Sequence, residues 1–219
     1  MALVTAILMN YKRPANVRRI IPALRSQSVA PWIVLVNNAA SPYVAEHDDQ
    51  RPDEVWELPR NVGPFARFLA AYAYHGWLYF QDDDLVPTDA EFIADLWALA
   101  KERPTAITGV YGRHIPPTPP HYRHPDTDGP TNFVKTILMM MRRDTLGRVR
   151  FPAGDIGRCD DIHVGLETSG GDPIHFSDRS FVKRLKLLPQ MGVGLSQQTQ
   201  HYPEREMYSA VWWRERLCA

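Results

Sequence analysis

The segment Trp77-Leu78-Tyr79-Phe80-Gln81-Asp82-Asp83-Asp84-Leu85-Val86-Pro87 limits what this chain can fold into more than any other. Its apolar, aromatic start reads as a buried strand, bounded downstream by Pro87. That strand ends abruptly in three adjacent carboxylates, which repel one another unless a cation lies among them. Hard divalent cations such as Mg²⁺ or Mn²⁺ take carboxylate oxygens and commonly bring a phosphate group with them. The stretch therefore proposes a metal–diphosphate site at a strand end. The plain alternative is a solvated acidic turn ahead of a helix.

The rest of the chain places this strand in a sheet. Residues 3–9, 32–36 and 55–58 form further short apolar runs with strand character. Between the first two, Pro14 suits a first helical turn, and Val17, Ile20, Ile21 and Leu24 recur at helical spacing. Residues 65–74 read as a helix. Thr88 and Glu91 have the spacing of a capping box ahead of Ile93, Leu96, Trp97 and Ala100. Residues 105–110 read as a strand again. This alternation predicts an α/β fold with a mainly parallel sheet flanked by helices. Beyond it come a Pro-rich loop over 114–130, a long apolar strand over 133–141, a helix over 160–168, and short strands over 173–176 and 185–188. The tail carries Trp212 and Trp213.

Bulk properties narrow the partners. With 219 residues the chain is long enough for one sizeable core. A formal net charge of zero argues against a surface that is one large polyanion trap and leaves room for a local basic face. Cys159 and Cys218 are too few and too far apart for a disulfide scaffold, which points to a reducing cytoplasm. The apolar start over 1–10 is too short to span a bilayer, so no membrane partner is expected.

Ligands of open α/β sheets bind beyond the carboxyl ends of the strands. The polar residues at those ends are Asn10, Tyr11, Lys12 and Arg13, then Asn37 and Asn38, then Arg60 and Asn61, then Asp82, Asp83 and Asp84. Amides to read a base and ribose, cations for a pyrophosphate and acids for a metal make up the set a nucleoside diphosphate needs. There is no Gly-rich phosphate loop, so a metal carries more of the neutralisation.

Asn61-Val62-Gly63-Pro64-Phe65-Ala66-Arg67, an Ala-rich helix and then Tyr79 through Pro87 resemble the donor half of GT-A type glycosyltransferases. The resemblance implies that Asp82 and Asp84 are an Asp-x-Asp pair holding Mn²⁺ (or Mg²⁺), with Asp84 the direct ligand and Asn61 and Arg67 beside the nucleotide. Cys159-Asp160-Asp161-Ile162 is similar to a Cys-Glu-Asp-Ile segment of the exostosin-like α-N-acetylhexosaminyltransferases, with Asp160 in place of Glu. Gly109-Val110-Tyr111-Gly112-Arg113, Gly194-Leu195-Ser196, His201 and Arg205 extend the likeness in the same order. That family is retaining and uses UDP-sugars. The resemblance then implies a catalytic set of Asp161, Asp160 and Arg205. Asn61, Arg67, Asp82, Asp83 and His201 join the strand-end residues Asn10, Tyr11, Arg13, Asn37 and Asn38 as the expected nucleotide-sugar contacts. Asp160-Asp161 is also similar to the acid pair of small inverting bacterial glycosyltransferases, where the second acid is the general base, and it has the form of a helix N-terminus.

Residues 1–112 are then the nucleotide-sugar donor half and 113–219 the acceptor half of one domain. The expected donor is a UDP-sugar. The expected acceptor is a glycan or a hydroxymethylated pyrimidine in DNA, in a bacterial or phage-infected cytoplasm. Competing expectations are a nucleotidyltransferase on a related fold and a non-catalytic carbohydrate- or nucleotide-binding module. His114, His121 and His124 lack ligand spacing and read as loop residues. Met139, Met140 and Met141 read as strand core, and Trp212 and Trp213 as packing. Basic pairs such as Arg18-Arg19, Arg113-His114, Arg123-His124 and Arg142-Arg143 read mostly as solvated faces, with a groove for an anionic acceptor as the alternative.

Overall fold

The computed structural model describes residues 3–122, 125–150, 159–190 and 201–217. Its strands are β1 (Val4–Asn10), β2 (Trp32–Asn37), β3 (Glu54–Glu57), β4 (Trp77–Gln81), β5 (Leu85–Pro87), β6 (Thr108–Gly109), β7 (Gly112–Arg113), β8 (Gly129–Thr131), β9 (Phe133–Val134), β10 (Leu138–Arg142), β11 (His175–Ser177) and β12 (Leu185–Leu187). Its helices are α1 (Pro14–Arg25), α2 (Ala66–Ala71), α3 (Phe92–Lys101), α4 (Arg143–Leu146), α5 (Asp160–Ser169) and α6 (His201–Leu217). Eight strands form one sheet in the order β3-β2-β1-β4-β10-β6-β11-β8. The first four are parallel, β10 runs antiparallel to both its neighbours, and β11 is parallel to β6. The expected α/β, mainly parallel sheet flanked by helices is the fold observed.

The period-two alternation of the strands explains the layering. Val4, Ala6 and Leu8 of β1 face one side with Tyr79 and Met140, covered by Val17, Ile20, Ile21 and Leu24 of α1 and by α3. Ile7 and Met9 face the other side with Leu78, Phe80, Met139 and Met141, covered by Phe68 and the alanines of α2 and by Leu146 of α4. Each large aliphatic side chain fully buried this way stabilises the fold by about 1.5–3 kcal/mol. A third cluster joins Ile162 and Leu166 of α5 to Phe133, Tyr122 and Trp212 of α6. The methionine triplet is core, as expected, and Trp212 is buried in packing, its indole donating to Glu167.

Three expected elements differ. The apolar run over 133–141 breaks into β9 and β10, which pair with different partners, β7 in one case and β4 and β6 in the other. The break has tertiary causes. Lys135 N–H donates to Tyr111 O, and Ile137 O accepts from Asp82 N–H, so 135–137 peels off into a wall of the cavity described below. The capping box at Thr88 does not form: α3 starts at Phe92, and Thr88 donates to Arg184 O instead. The strand expected over 105–110 shrinks to β6, because 104–106 turn after α3 and Ile107 N–H donates to the His175 ring in place of a strand partner. Gly194-Leu195-Ser196, Arg123, His124 and Cys218 lie outside the described residues. Among the described residues no helix is long and apolar enough to cross a membrane.

Candidate active site

The carboxyl ends of β1, β2 and β4 open onto one cavity of about 420 Å³, within the range of small-molecule sites. Tyr11, Arg13, Asn38, Asn61, Arg67 and the acids Asp82, Asp83 and Asp84 line one end. Asp160, Asp161, His201 and Arg205 line the other. Two of the expected contacts do not reach the wall. Asn10 and Asn37 are buried behind it, with the Asn10 amide donating to Asn37 at 2.6 Å and the Asn37 amide to Glu57 and Ser41 O. Asn38 faces the cavity and braces the next loop. Its amide donates to Asn61 and to the carbonyl of Gly63, and its own oxygen accepts from Val62 N–H. Gly63 sits at φ +84°, a backbone state a side chain would strain.

The three adjacent acids are balanced by two arginines. Lys12, the one non-glycine residue of positive φ (63°) among the described residues, turns the chain after β1. That turn aims Tyr11 N–H at Asp83 (2.9 Å) and the Arg13 guanidinium at Asp83 (2.5 Å) and Asp84 (3.3 Å). Asn16 donates to the Asp83 carbonyl, so the turn is stitched to the acids on two sides. Burial pushes the Asp83 carboxyl up to about 6, although Tyr11 N–H and Arg13 favour its charged form. Burial and the charge of Asp82 raise Asp84 as well. Asp82 takes a 2.5 Å ion pair from Arg67.

Arg67 connects the two ends. It is 5% exposed, donates to Pro64 O and Thr136 O, and its Nε lies 3.9 Å from Asp160 Oδ2. Burial opposes its charge, but Asp82 and Asp160 hold the guanidinium above its ordinary pKa.

At the other end, Asp160 and Asp161 open α5, where carboxylates complement the helix dipole. Asp161 Oδ1 accepts from Ile162 N–H (2.9 Å) and from Arg205 of α6 (2.7 Å). Burial works against the Arg205 charge, yet Asp161 keeps it raised. The Arg205 guanidinium lies 4.5 Å from the Tyr122 ring and 5.6 Å from the Phe133 ring. Asp160 is buried, and its Oδ2 has no hydrogen-bond partner among the described residues. Burial and then the adjacent Asp161 charge push its carboxyl up to about 7.

The cavity also contains residues that sequence reasoning passed over: Tyr111, Tyr122, Lys135 and Tyr202. Lys135 pairs with Asp126 at 2.7 Å, and Arg113 pairs with the same acid. Tyr111 lay inside a segment singled out for its Arg. The other three carry no local signal. They reach the wall through the strand break at 135–137, the Pro-rich loop and the start of α6.

A divalent metal fits the donor set. Asp82 and Asp84 both face the cavity and offer hard oxygen atoms. Among the described residues no group of three or more His, Cys, Asp or Glu side chains stands ready for a metal. Two carboxylates with the remaining positions left to water and phosphate is how Mg²⁺-type ions are commonly bound.

The chain matches no protein-family model and no curated protein. Its fold is similar to that of solved glycosyltransferases. One is the mannosyltransferase PcManGT from Pyrobaculum calidifontis, solved in complex with GDP-Man and Mn²⁺. It matches with a TM-score of 0.67 at 14% identity over 96% of this chain and 64% of that protein. Another is TarS of S. aureus, with a TM-score of 0.58 at 15% identity over 80% of this chain and 35% of that protein. The chain therefore spans less than two thirds of the length of either.

Proposed function

We propose that this protein is a metal-dependent glycosyltransferase that moves a sugar from a UDP-sugar to an acceptor hydroxyl, with retention of configuration. The observation that carries the reading is one cavity faced by two acid sets, Asp82/Asp84 and Asp160/Asp161, with buried Arg67 between them. The fold shared with glycosyltransferases supports it. The sequence resemblance to the exostosin-like enzymes supports the UDP donor and the retention.

Asp82 and Asp84 would hold Mn²⁺ or Mg²⁺, which when bound supplies Lewis-acid neutralisation of the departing diphosphate. Tyr11, Asn38 and Asn61 lie where the nucleoside would bind, at the strand ends. Arg13 bridges Asp83 and Asp84 and favours their charged forms against burial. Arg205 fixes one oxygen of Asp161 beside the reacting carbon. In the transfer, the bond from the anomeric carbon to the diphosphate oxygen breaks and the diphosphate leaves with the electron pair. A bond from the acceptor oxygen to that carbon forms, and the acceptor proton passes to a base. With inversion Asp161 is that base. With retention Asp161 stabilises the oxocarbenium-like centre or attacks it, and the departing diphosphate can take the proton. Buried Asp160, raised to about 7, can keep a proton at neutral pH and lessen repulsion with Asp161.

The test is a panel of UDP-glucose, UDP-galactose, UDP-GlcNAc, UDP-GalNAc and GDP-mannose with Mn²⁺. Donor hydrolysis or thermal stabilisation with at least one is expected, and the product anomer read by NMR decides retention against inversion. Silence with every nucleotide sugar, with and without metal, sinks the reading. Pyrophosphate release from UTP or CTP plus a sugar phosphate would replace it with nucleotidyl transfer.

A further inference from the structure

Besides the acids, the cavity wall carries the tyrosines Tyr111, Tyr122 and Tyr202. Arg205, paired to Asp161, lies over the Tyr122 ring, and the Tyr202 ring is 6.1 Å further on. Tyr202 is 48% exposed at the start of α6 and Tyr111 is half-buried, so both rings present surface to the cavity. Each described cation of the cavity wall is already ion-paired: Arg13 to Asp83 and Asp84, Arg67 to Asp82, Lys135 to Asp126, Arg205 to Asp161.

From this we infer that the acceptor is a neutral sugar, seated against the Tyr111 and Tyr202 rings with a hydroxyl directed at Asp161, while Tyr122, 2% exposed with Arg113 and Arg205 each 4.5 Å from its ring, backs the wall. The inference deepens the glycosyltransferase reading and rests on it. Aromatic rings offer flat apolar faces, and their polar edges suit a ligand that is apolar on one face and hydroxylated around its rim. A nucleic acid needs unpaired Lys or Arg for its phosphates. The wall's Arg13, Arg67 and Arg205 are paired with its own acids and Lys135 with Asp126, and the whole chain has a formal net charge of zero. A polyanionic strand would approach that acid-rich mouth at an electrostatic cost, whereas an uncharged sugar would not.

The test measures binding apart from turnover. Saturation-transfer NMR and calorimetry would follow methyl glycosides of the gluco, galacto, manno and N-acetylglucosamine series against the full chain with UDP and Mn²⁺. A single-stranded oligonucleotide carrying hydroxymethylcytosine is the competitor. At least one glycoside is expected to bind. Tyr202→Ala and Tyr111→Ala should weaken it about tenfold each, and Tyr202→Phe should restore most of the loss. Donor-nucleotide affinity should shift less than about threefold, which separates these rings from the donor end. Because Tyr202 is exposed, its variants should melt as the wild type does. The inference is overturned if the oligonucleotide binds and is modified, if no glycoside binds, or if the alanine variants bind glycosides unchanged. Glycoside binding at these rings with no nucleotide-sugar response leaves a sugar-binding site and discards the transferase reading instead.

Discussion

At the proposed donor end of the cavity, three acids adjacent in sequence are met by Arg13 after β1 and by Arg67 of α2. At the proposed reaction end, Asp161 at a helix start is held by one arginine 44 residues downstream. Asp83 alone accepts from Tyr11 N–H and Arg13 and is further tied through its carbonyl to Asn16. Asp160 has Arg67 at only 3.9 Å and an oxygen without a hydrogen bond among the described residues. The donor end is thus braced redundantly. The reaction end carries buried, incompletely satisfied charge, as groups tuned for chemistry often do.

The widest separation between the ends should come from removing one acid at each. Asp84→Ala and Asp161→Ala should each lower turnover by about 10²–10⁴-fold. Only Asp84→Ala should also weaken Mn²⁺ binding, read by calorimetry, and EDTA should reproduce its loss in the wild type. Equal loss of metal affinity in both variants would erase the distinction between the ends.

Arg205→Ala strands Asp161 as a buried unpaired charge and should destabilise by about 3–5 kcal/mol in urea melts. Arg205→Lys keeps the charge without the fork geometry and should recover part of the stability. A negligible loss in the alanine variant would mean that the reaction end is braced as well as the donor end.

Two buried titratable groups should tilt the pH–stability profile in opposite directions. His175 accepts from Ile107 N–H, and its other ring nitrogen can donate to Gly165 O, which requires the neutral ring. Burial lowers it from 6.5 to about 4. Its contribution is therefore present above pH 6.5 and lost as pH falls to about 4, on the order of 3 kcal/mol. His175→Gln should flatten that acid limb. Asp160 is raised from 3.8 to about 7, so its contribution is full below 3.8 and lost as pH rises to about 7. Asp160→Asn should gain on the wild type at pH 8 relative to pH 5. Parallel slopes in thermal melts of the two variants would contradict these burial effects.

The smallest contrast lies within the donor end. Asn38→Ala should weaken donor binding with about 1 kcal/mol of lost stability, while Asn10→Ala should cost similar stability and leave donor affinity alone. Equal effects on donor affinity would mean that the Asn10–Asn37 pair also serves the ligand.

The clustering of strand-end residues around the three acids was legible because it is local. β1, β2 and β4 are buried runs whose polar endings sit next to them in sequence, and the sheet gathers those endings at one edge. What misled was direction. Asn10 and Asn37 stand at strand ends like Asn38 but turn toward each other, a choice set by cross-strand pairing of Asn10 with Asn37. Arg13 and Arg67 also reach the three acids from outside the triplet, contacts that the local sequence does not announce. The long strand over 133–141 failed because its apolar pattern is continuous and only contacts from Tyr111 and Asp82 break it.

The alternation of short buried runs with one-sided helices determined the α/β sheet, its two covered faces and the edge where the site opens. Those features follow from periodicity and burial, which any short window of residues carries. Tertiary structure alone decided that Arg67 joins the two acid sets, that Arg205 returns to Asp161, and that Tyr111, Tyr122 and Tyr202 share a wall. These are contacts between residues far apart in the chain, fixed by how the layers pack and unwritten in any local pattern.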